Sequence, residues 1–138
     1  ALVKVNLWGF LQAQQGLDTP ILEKGSNFSG GQCQRLAIAR ALLHDTPVYI
    51  FDEAASNIDA ESEEMIMDVI RRLSETKTIL LISHRLANVV ESDRIYMLKD
   101  GYVAESGTHE YLMEQNGEYA KLYRSQMELE QYGKEASA

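Results

Sequence analysis

The chain has 138 residues, of which 45% are hydrophobic and 25% charged, the mixture of a globular domain with its own core. Thirteen basic against twenty-one acidic side chains give a net charge of −8, so we do not expect a nucleic-acid partner. The single cysteine, Cys33, excludes an internal disulfide and a cysteine-rich metal site. No apolar run approaches the roughly twenty residues that span a bilayer. These features predict a soluble domain of cytoplasmic type.

Predicted helices and short apolar runs alternate along the chain. The run Val48-Tyr49-Ile50-Phe51 and the run 78–83 lack apolar–polar alternation, which is typical of strands covered on both faces. Lys99-Asp100-Gly101 is a tight-turn signal, so the strands beside it are expected to form an antiparallel hairpin. The alternation predicts an α/β fold with a mostly parallel sheet, whose ligands lie beyond the carboxyl ends of the strands. The predicted helices cover the opening stretch to about residue 15, then 29–44, 60–74, a stretch after 108, and 118–131; the predicted strands cover 48–51, 78–83, 94–98 and 102–105.

The candidate core is drawn from the apolar stripes of two predicted helices. Side chains three and four residues apart lie on the same face of a helix, so apolar residues at that spacing are expected to be buried together. The stripes consist of Leu36, Ala39 and Leu43 in the helix 29–44, and of Met65, Ile66, Val69 and Leu73 in the helix 60–74.

The first candidate site is Ser29-Gly30-Gly31-Gln32, where a helix is predicted to begin. Ser29 followed three residues later by Gln32 predicts a capping box. Two glycines are unusual there, since each costs about 1 kcal/mol in a helix, unless a large group must approach the backbone closely. Exposed N–H groups, the helix dipole, a hydroxyl and an amide form a site for an anion such as phosphate. An ordinary cap beside a Gly-Gly turn explains these four residues equally well.

Two further candidate groups follow the apolar runs. Asp52 and Glu53 end the first run, where one carboxylate can hold Mg²⁺ and the next can orient or deprotonate a water. His84 follows the second run and is expected to point into the same crevice, where a histidine can donate to a phosphate oxygen. Each group alone also fits a structural interpretation, which we adopt for His44 and His109.

Together these motifs resemble the ATPase domain of ABC transporters. Phe28 to Gln32 are similar to the family's signature sequence, usually Leu-Ser-Gly-Gly-Gln, and the stretch 34–42 resembles its signature helix. Asp52 and Glu53 resemble the end of its Walker B strand, the stretch 56–59 its D-loop, and His84 its switch histidine. The resemblance extends from about residue 1 to residue 123, and the stretch 107–123 is most similar to the exporter branch.

The resemblance implies a P-loop NTPase-type three-layer fold and the cofactors ATP and Mg²⁺. It implies two kinds of partner, a second nucleotide-binding domain and a transmembrane domain, and therefore a place at the cytoplasmic face of a membrane, such as the plasma membrane. Two such domains close head to tail around two ATP molecules. The signature residues 29–32 of one domain then contact the γ-phosphate of an ATP that the other domain holds.

The resemblance also implies a role for each candidate residue. Asp52 helps to hold Mg²⁺, and Glu53 is a catalytic residue that polarises the attacking water. His84 is a second catalytic residue, which fixes the γ-phosphate and Glu53. Asp59 belongs to the D-loop and is expected to bind the nucleotide together with the signature residues.

One motif of such ATPases does not occur in this sequence. The phosphate-cradling loop Gly-x-x-x-x-Gly-Lys-Ser/Thr is absent. In the family this loop precedes the helical subdomain, so we interpret residues 1–46 as the end of that subdomain with its signature helix, and residues 47–138 as the C-terminal part of the ATPase core. We expect a part of a longer protein that is inactive alone. Two alternatives stay open: a soluble ABC ATPase acting on DNA or ribosomes, and a degenerate domain that dimerises without hydrolysis.

Overall fold

The computed structural model describes the backbone of residues 1–136 and the side chains of residues 1–132. The chain divides into two compact units, residues 1–82 and the residues from Ser83 onward. The boundary after residue 46, which separates the subdomains implied by the family resemblance, is a different kind of division and stays a prediction. In the described part of the chain, no helix is long and apolar enough to cross a membrane.

The first unit contains three α-helices and two strands, most of them where the sequence predicts them. The exception is the opening helix, which is one short segment and begins only at Trp8, two residues after Asn6 takes a left-handed backbone conformation with φ of 53°. The elements are α1 (Trp8–Gln12), α2 (Gly30–Leu42), β1 (Val48–Asp52), α3 (Ala60–Ser74) and β2 (Thr78–Ile82), with 3₁₀ turns at Gly16–Asp18 and Glu23–Gly25.

The two strands of this unit form a parallel pair in which Asp52 lies opposite Ile82. One face packs on the core, where Phe51 is 6% exposed. The other face is open, with Ile50 65% and Leu80 50% exposed. The prediction that both strands are covered on both faces is therefore wrong for the described chain. An apolar run lacks the alternation that would show which face is buried, so the sequence could not distinguish the two cases.

The predicted stripe of α2 is partly confirmed. Ala39 is buried and Leu36 is half-buried against the core, but Leu43 is 75% exposed, and Gly31, Arg35 and Ile38 complete the buried face. The spacing is helical, but the stripe begins with a glycine and an arginine, which a search for apolar residues passes over. On α3 the prediction is partly confirmed. Ile66 and Val69 are buried, Met65 and Leu73 are half-buried, and Met67 and Ile70 complete the buried face.

The second unit is a β-hairpin followed by two helices, as the sequence predicts. Asp100 and Gly101 both have positive φ, 51° and 80°, which gives the two-residue turn that joins neighbouring antiparallel strands. His109 Nδ1 lies 2.9 Å from the hydroxyl of the buried Tyr119, in agreement with its structural interpretation. The elements are a 3₁₀ turn at Leu86–Val89, then β3 (Ile95–Lys99), β4 (Tyr102–Gly107), α4 (His109–Gln115) and α5 (Glu118–Ala136).

The four strands form two separate two-stranded sheets, β1 with β2 and β3 with β4. Parallel strands joined through a helix confirm the predicted α/β class. In the described residues β1 is the only hydrogen-bonded neighbour of β2, so the remaining backbone edge of β2 carries no strand.

Candidate functional site

The predicted capping box is present at the start of α2. The Oγ atom of Ser29 accepts a hydrogen bond from the backbone N–H of Gln32 at 3.2 Å, and Oε1 of Gln32 accepts one from the N–H of Ser29 at 2.9 Å. Each side chain uses an oxygen as acceptor. The hydroxyl hydrogen of Ser29 and the amide hydrogens of Gln32 are therefore the groups that can donate to an anion.

The two glycines at this helix start have different surroundings. A Cβ atom at Gly31 would overlap the side chain of Ser62, which belongs to the first turn of α3. A Cβ atom at Gly30 would lie 3.5 Å from Cγ2 of Ile58, an ordinary contact. At Gly31 the lack of a side chain is also required within the chain itself, because Ser62 takes the room, and the contact of Gly31 with a nucleotide stays a prediction. Gly30 is exposed and keeps an open approach to the backbone.

Asp52 and Glu53 lie at the carboxyl end of β1, as predicted. Asp52 is exposed, and the N–H of Glu53 donates to the carbonyl of Ile82 at 3.0 Å, which ties the ends of the two strands together. Glu53 has φ of 49°, a left-handed conformation that costs a non-glycine residue about 1–2 kcal/mol. Such strained positions cluster at functional sites, and nothing in the local sequence signals this one.

Asp59 caps helix α3. Its Oδ1 atom accepts a hydrogen bond from the N–H of Ser62 at 2.8 Å. Hydrogen bonds from Ser62 lower the pKa of the Asp59 carboxyl, and the charge of Arg35 lowers it further. An ionised carboxylate has no donor to offer a phosphate, so the contact with nucleotide that we expected of Asp59 stays a prediction, and its observed contact is structural.

His84 follows β2 and belongs to the second unit. Its backbone carbonyl accepts a hydrogen bond from Nε2 of Gln126 at 2.7 Å, while Oε1 of Gln126 accepts one from the N–H of Leu86 at 2.9 Å. Helix α5 thus fixes the backbone on both sides of Arg85, which the sequence did not indicate because Gln126 lies far along the chain. That His84 shares a crevice with Asp52 and Glu53 stays a prediction.

The structure brings the remaining predicted residues together in two groups. The signature residues lie beside the start of α3, because a Cβ atom at Gly31 would overlap Ser62 and one at Gly30 would lie 3.5 Å from Ile58, two residues before the helix. The acidic pair Asp52-Glu53 meets the end of β2. The signature sequence and the capped start of α3 are therefore neighbours, although about thirty residues separate them in the chain.

The described residues contain no cluster of three or more side chains that could hold a metal ion. Mg²⁺ differs from other metals here, because it keeps several waters and binds through one or two carboxylates together with phosphate oxygens. A single exposed carboxylate at a strand end, Asp52, has the right chemistry for such a site. Asp52 therefore fits a magnesium ion that arrives with a nucleotide.

An apolar groove of about 920 Å³ lies along another side of α2. It contains none of the predicted site residues, so its position does not coincide with the candidate site. Cys33 is half-buried in its wall and is a free thiol. The groove is lined mainly by Leu2, Trp8, Leu17, Ile21, Leu36 and Leu43.

Known proteins similar to this chain include an ABC transporter ATP-binding protein and ATP-dependent flippases. The sequence profile of the ABC transporter family matches residues 6–56. An ABC transporter ATP-binding protein of Haemophilus influenzae is 53% identical over 137 residues, which are 99% of this chain and 24% of that protein. An ATP-dependent lipid A-core flippase of Vibrio vulnificus is 50% identical over 113 residues, 82% of this chain and 19% of the flippase. The chain thus spans about a quarter or less of these relatives.

A solved structure shows the same fold. The structure of a bacterial Atm1-family ABC exporter with ATP bound superposes with a TM-score of 0.83 at 35% sequence identity. The match covers 91% of this chain and 22% of the exporter chain. The match therefore includes residues of both described units.

Proposed function

We propose that the chain belongs to the ATP-binding family of ABC transporters and is the C-terminal part of an exporter's ATPase domain, in which ATP hydrolysis drives transport. The observation that carries this proposal is the start of α2. There a neutral capping box and an exposed Gly30 leave backbone N–H groups and two side-chain donors open to an anion. The γ-phosphate of an ATP held by a second nucleotide-binding domain is the anion that this surface suits.

Each residue of the proposed phosphate site has its own role. Ser29 and Gln32 donate hydrogen bonds to the phosphate, and Gly30 lets it approach the backbone. Gly31 acts indirectly, because it admits Ser62 and so sets α2 against α3. Asp59 caps α3 and keeps the loop before it in place. Catalysis of phosphoryl transfer rests mainly on such positioning and on charge stabilisation.

The residues that we expect to carry out the chemistry lie at the carboxyl ends of the two strands. Asp52 would hold Mg²⁺, which neutralises charge on the phosphates when it is bound. Glu53 orients the attacking water, and its left-handed backbone is a strain of the kind that clusters at functional sites. His84 donates to the γ-phosphate. The backbone hydrogen bonds from Gln126 hold the loop that carries His84.

The proposed partners are a second nucleotide-binding domain and a transmembrane domain, with the protein at the cytoplasmic face of a membrane. The relatives and the solved structure described above are transporters, flippases and exporters by name, so they give no support to a soluble ATPase that acts on DNA or ribosomes. The other alternative, a degenerate domain that dimerises without hydrolysis, is distinguished from the proposal by measuring ATP hydrolysis.

The proposal is tested by ATP turnover of the full-length protein reconstituted in lipid. We expect Mg²⁺-dependent hydrolysis, and we expect Glu53→Gln to lower kcat by about a hundredfold or more while ATP binding is retained. Glu91→Gln, a matched change at an exposed turn residue, should leave turnover unaltered. Near-normal turnover of Glu53→Gln would remove Glu53 from the catalytic role, and a wild-type protein that binds ATP without hydrolysing it would favour the degenerate domain.

A further inference from the structure

The backbone around His84 is held by a side chain that lies 42 residues further along the chain. The amide oxygen of Gln126 on α5 accepts a hydrogen bond from the N–H of Leu86 at 2.9 Å. Its amide nitrogen donates to the carbonyl of His84 at 2.7 Å. A single amide group can make both bonds because its oxygen accepts and its nitrogen donates. The main chain that carries His84 is therefore bonded to α5 on both sides of Arg85.

Other contacts of the same stretch add to this fixation. The Oγ atom of Ser83 accepts a hydrogen bond from the N–H of Arg85 at 3.0 Å and donates one to its carbonyl at 3.1 Å. Leu86 is only 7% exposed and anchors the 3₁₀ turn that follows. Glu130, one helical turn after Gln126 on α5, lies 3.7 Å from Nη2 of Arg85. The backbone of this stretch is therefore fixed partly by local hydrogen bonds and partly by one face of α5.

The fixed backbone carries an exposed side chain, that of His84. The hydrogen bond to its carbonyl lies at the surface, where water could replace the amide of Gln126 at little cost to stability. Its main consequence concerns the imidazole, which keeps only its own side-chain rotations when the backbone is held. Groups that take part in a reaction must be held within about 0.5 Å of their productive position. The contact of Gln126 thus suits a residue whose position matters more than its packing.

We propose that Gln126 is a positioning residue, which holds the backbone of His84 so that the imidazole is presented to the γ-phosphate. This inference rests on the proposed function, because the direction of an exposed histidine matters only if the histidine meets a phosphate. Gln126 does not touch the nucleotide in this scheme. Its effect on turnover passes through His84, so the effect should disappear when the imidazole is absent.

The test uses Gln126→Met in the full-length protein reconstituted in lipid, because methionine keeps the length of the side chain and removes both hydrogen bonds. We expect kcat for ATP to fall about tenfold with KM changed less than about twofold, since a displaced imidazole impairs positioning rather than binding. Hydrogen exchange in the segment 84–89 should become about tenfold faster, because the N–H of Leu86 loses its acceptor. Gln131→Met, the same change at an exposed position of α5, should alter neither quantity.

A second change, His84→Ala, distinguishes positioning from a general loss of stability. If Gln126 acts through the imidazole, Gln126→Met should lower the residual turnover of His84→Ala by less than about twofold. Losses that multiply in the double variant would overturn the proposal, because Gln126 would then act elsewhere. If Gln126→Met does not fold, Gln126→Asn, whose amide is one methylene group shorter, takes its place. Unaltered kcat in that variant would also overturn the role of Gln126.

The two proposals fail in different ways. If the wild-type protein does not hydrolyse ATP, the proposed function fails, while hydrogen exchange in Gln126→Met still decides whether α5 holds the loop of His84. If the wild type hydrolyses ATP and Gln126→Met turns over normally although its segment 84–89 exchanges faster, the proposed function stands and the role of Gln126 is overturned. Near-normal turnover of His84→Ala would overturn the role of His84 and, with it, that of Gln126.

Discussion

The starts of α2 and α5 are capped by different kinds of group, although each has a glycine beside an exposed turn. At α2 the cap is neutral and local, because Ser29 and Gln32 cap each other's backbone N–H groups. At α5 the cap is a carboxylate from another element. Glu105 on β4 accepts hydrogen bonds from the N–H groups of Glu118 at 2.6 Å and Tyr119 at 3.1 Å.

The difference between these two caps indicates when a helix start can bind an anion from outside the chain. The positive end of α5 already holds the anion that its dipole favours, and Gly117 is needed because a Cβ atom there would overlap the Glu105 carboxylate. The start of α2 holds no charge of its own, and Gly30 has an open approach. A glycine beside a helix start can therefore indicate an internal contact or a ligand, and the neighbouring side chains decide between them.

The largest effect on stability should come from Gly31→Ala. The new Cβ atom overlaps Ser62, so we expect the free energy of unfolding to fall by about 1–3 kcal/mol, the usual cost of overpacking. Urea denaturation measures the loss. Ser62→Gly should recover part of it in the double variant, because it removes the atoms that clash. Full stability of Gly31→Ala would show that α2 and α3 are not in tight contact at this point.

The next effect should come from Glu105→Ala. Removal of the carboxylate leaves the first N–H groups of α5 without their acceptor, so we expect a loss of about 1 kcal/mol, typical of a missing helix cap. Thermal unfolding is the measurement. Glu114→Ala, on the exposed side of α4, is the matched control and should be neutral. If both changes lower the stability equally, Glu105 does not stabilise α5 as a helix cap.

The cap of α2 could be predicted from the sequence, whereas the cap of α5 could not, and the reason is physical. The capping box at α2 is a local pattern of two residues three apart, and the Asp100-Gly101 turn is equally local, so both were predicted correctly. The Glu105 cap joins residues from two different elements, and the contact of Gly31 with Ser62 depends on how α2 packs on α3. Such long-range contacts leave no periodic trace in the chain. The strained backbone of Glu53 was missed for the same reason.

The pH dependence of the two helix starts should also differ. The hydrogen bond and charge of Lys99 lower the pKa of Glu118, so this carboxyl contributes stability that is present at neutral pH and lost as the pH falls through its lowered folded-state pKa. Ser29 and Gln32 do not titrate. We expect amide protection at Tyr119, in the first turn of α5, to fall as the pH drops through the lowered pKa of Glu118, before protection at Gln32 does. Glu118→Gln should weaken this acid response, and an unchanged response would assign it to other carboxyls.

The smallest effect on stability should come from Gly30→Ala. The added methyl group lies 3.5 Å from Ile58, and alanine is favoured over glycine in helices, so we expect a change within about 1 kcal/mol, in the stabilising direction. ATP-driven association of the full-length protein should nevertheless weaken, since the methyl group narrows the approach to the backbone. Sedimentation with Mg-ATP, compared with Glu114→Ala, measures this. If Gly30→Ala associates normally, the open approach to the backbone at Gly30 has no role in ATP-driven association.

The consecutive arrangement of β1, α3 and β2 has a consequence for how this strand pair forms. Every hydrogen bond of this parallel sheet joins residues of the first unit, and α3, which fills the connection between the strands, supplies Ile66 and Ile70 to the core under Phe51. Closing such a connection costs less chain entropy than pairing strands from distant parts of a sequence. The register of this strand pair is therefore set by contacts within one unit, and none of its hydrogen bonds needs a residue after Ile82.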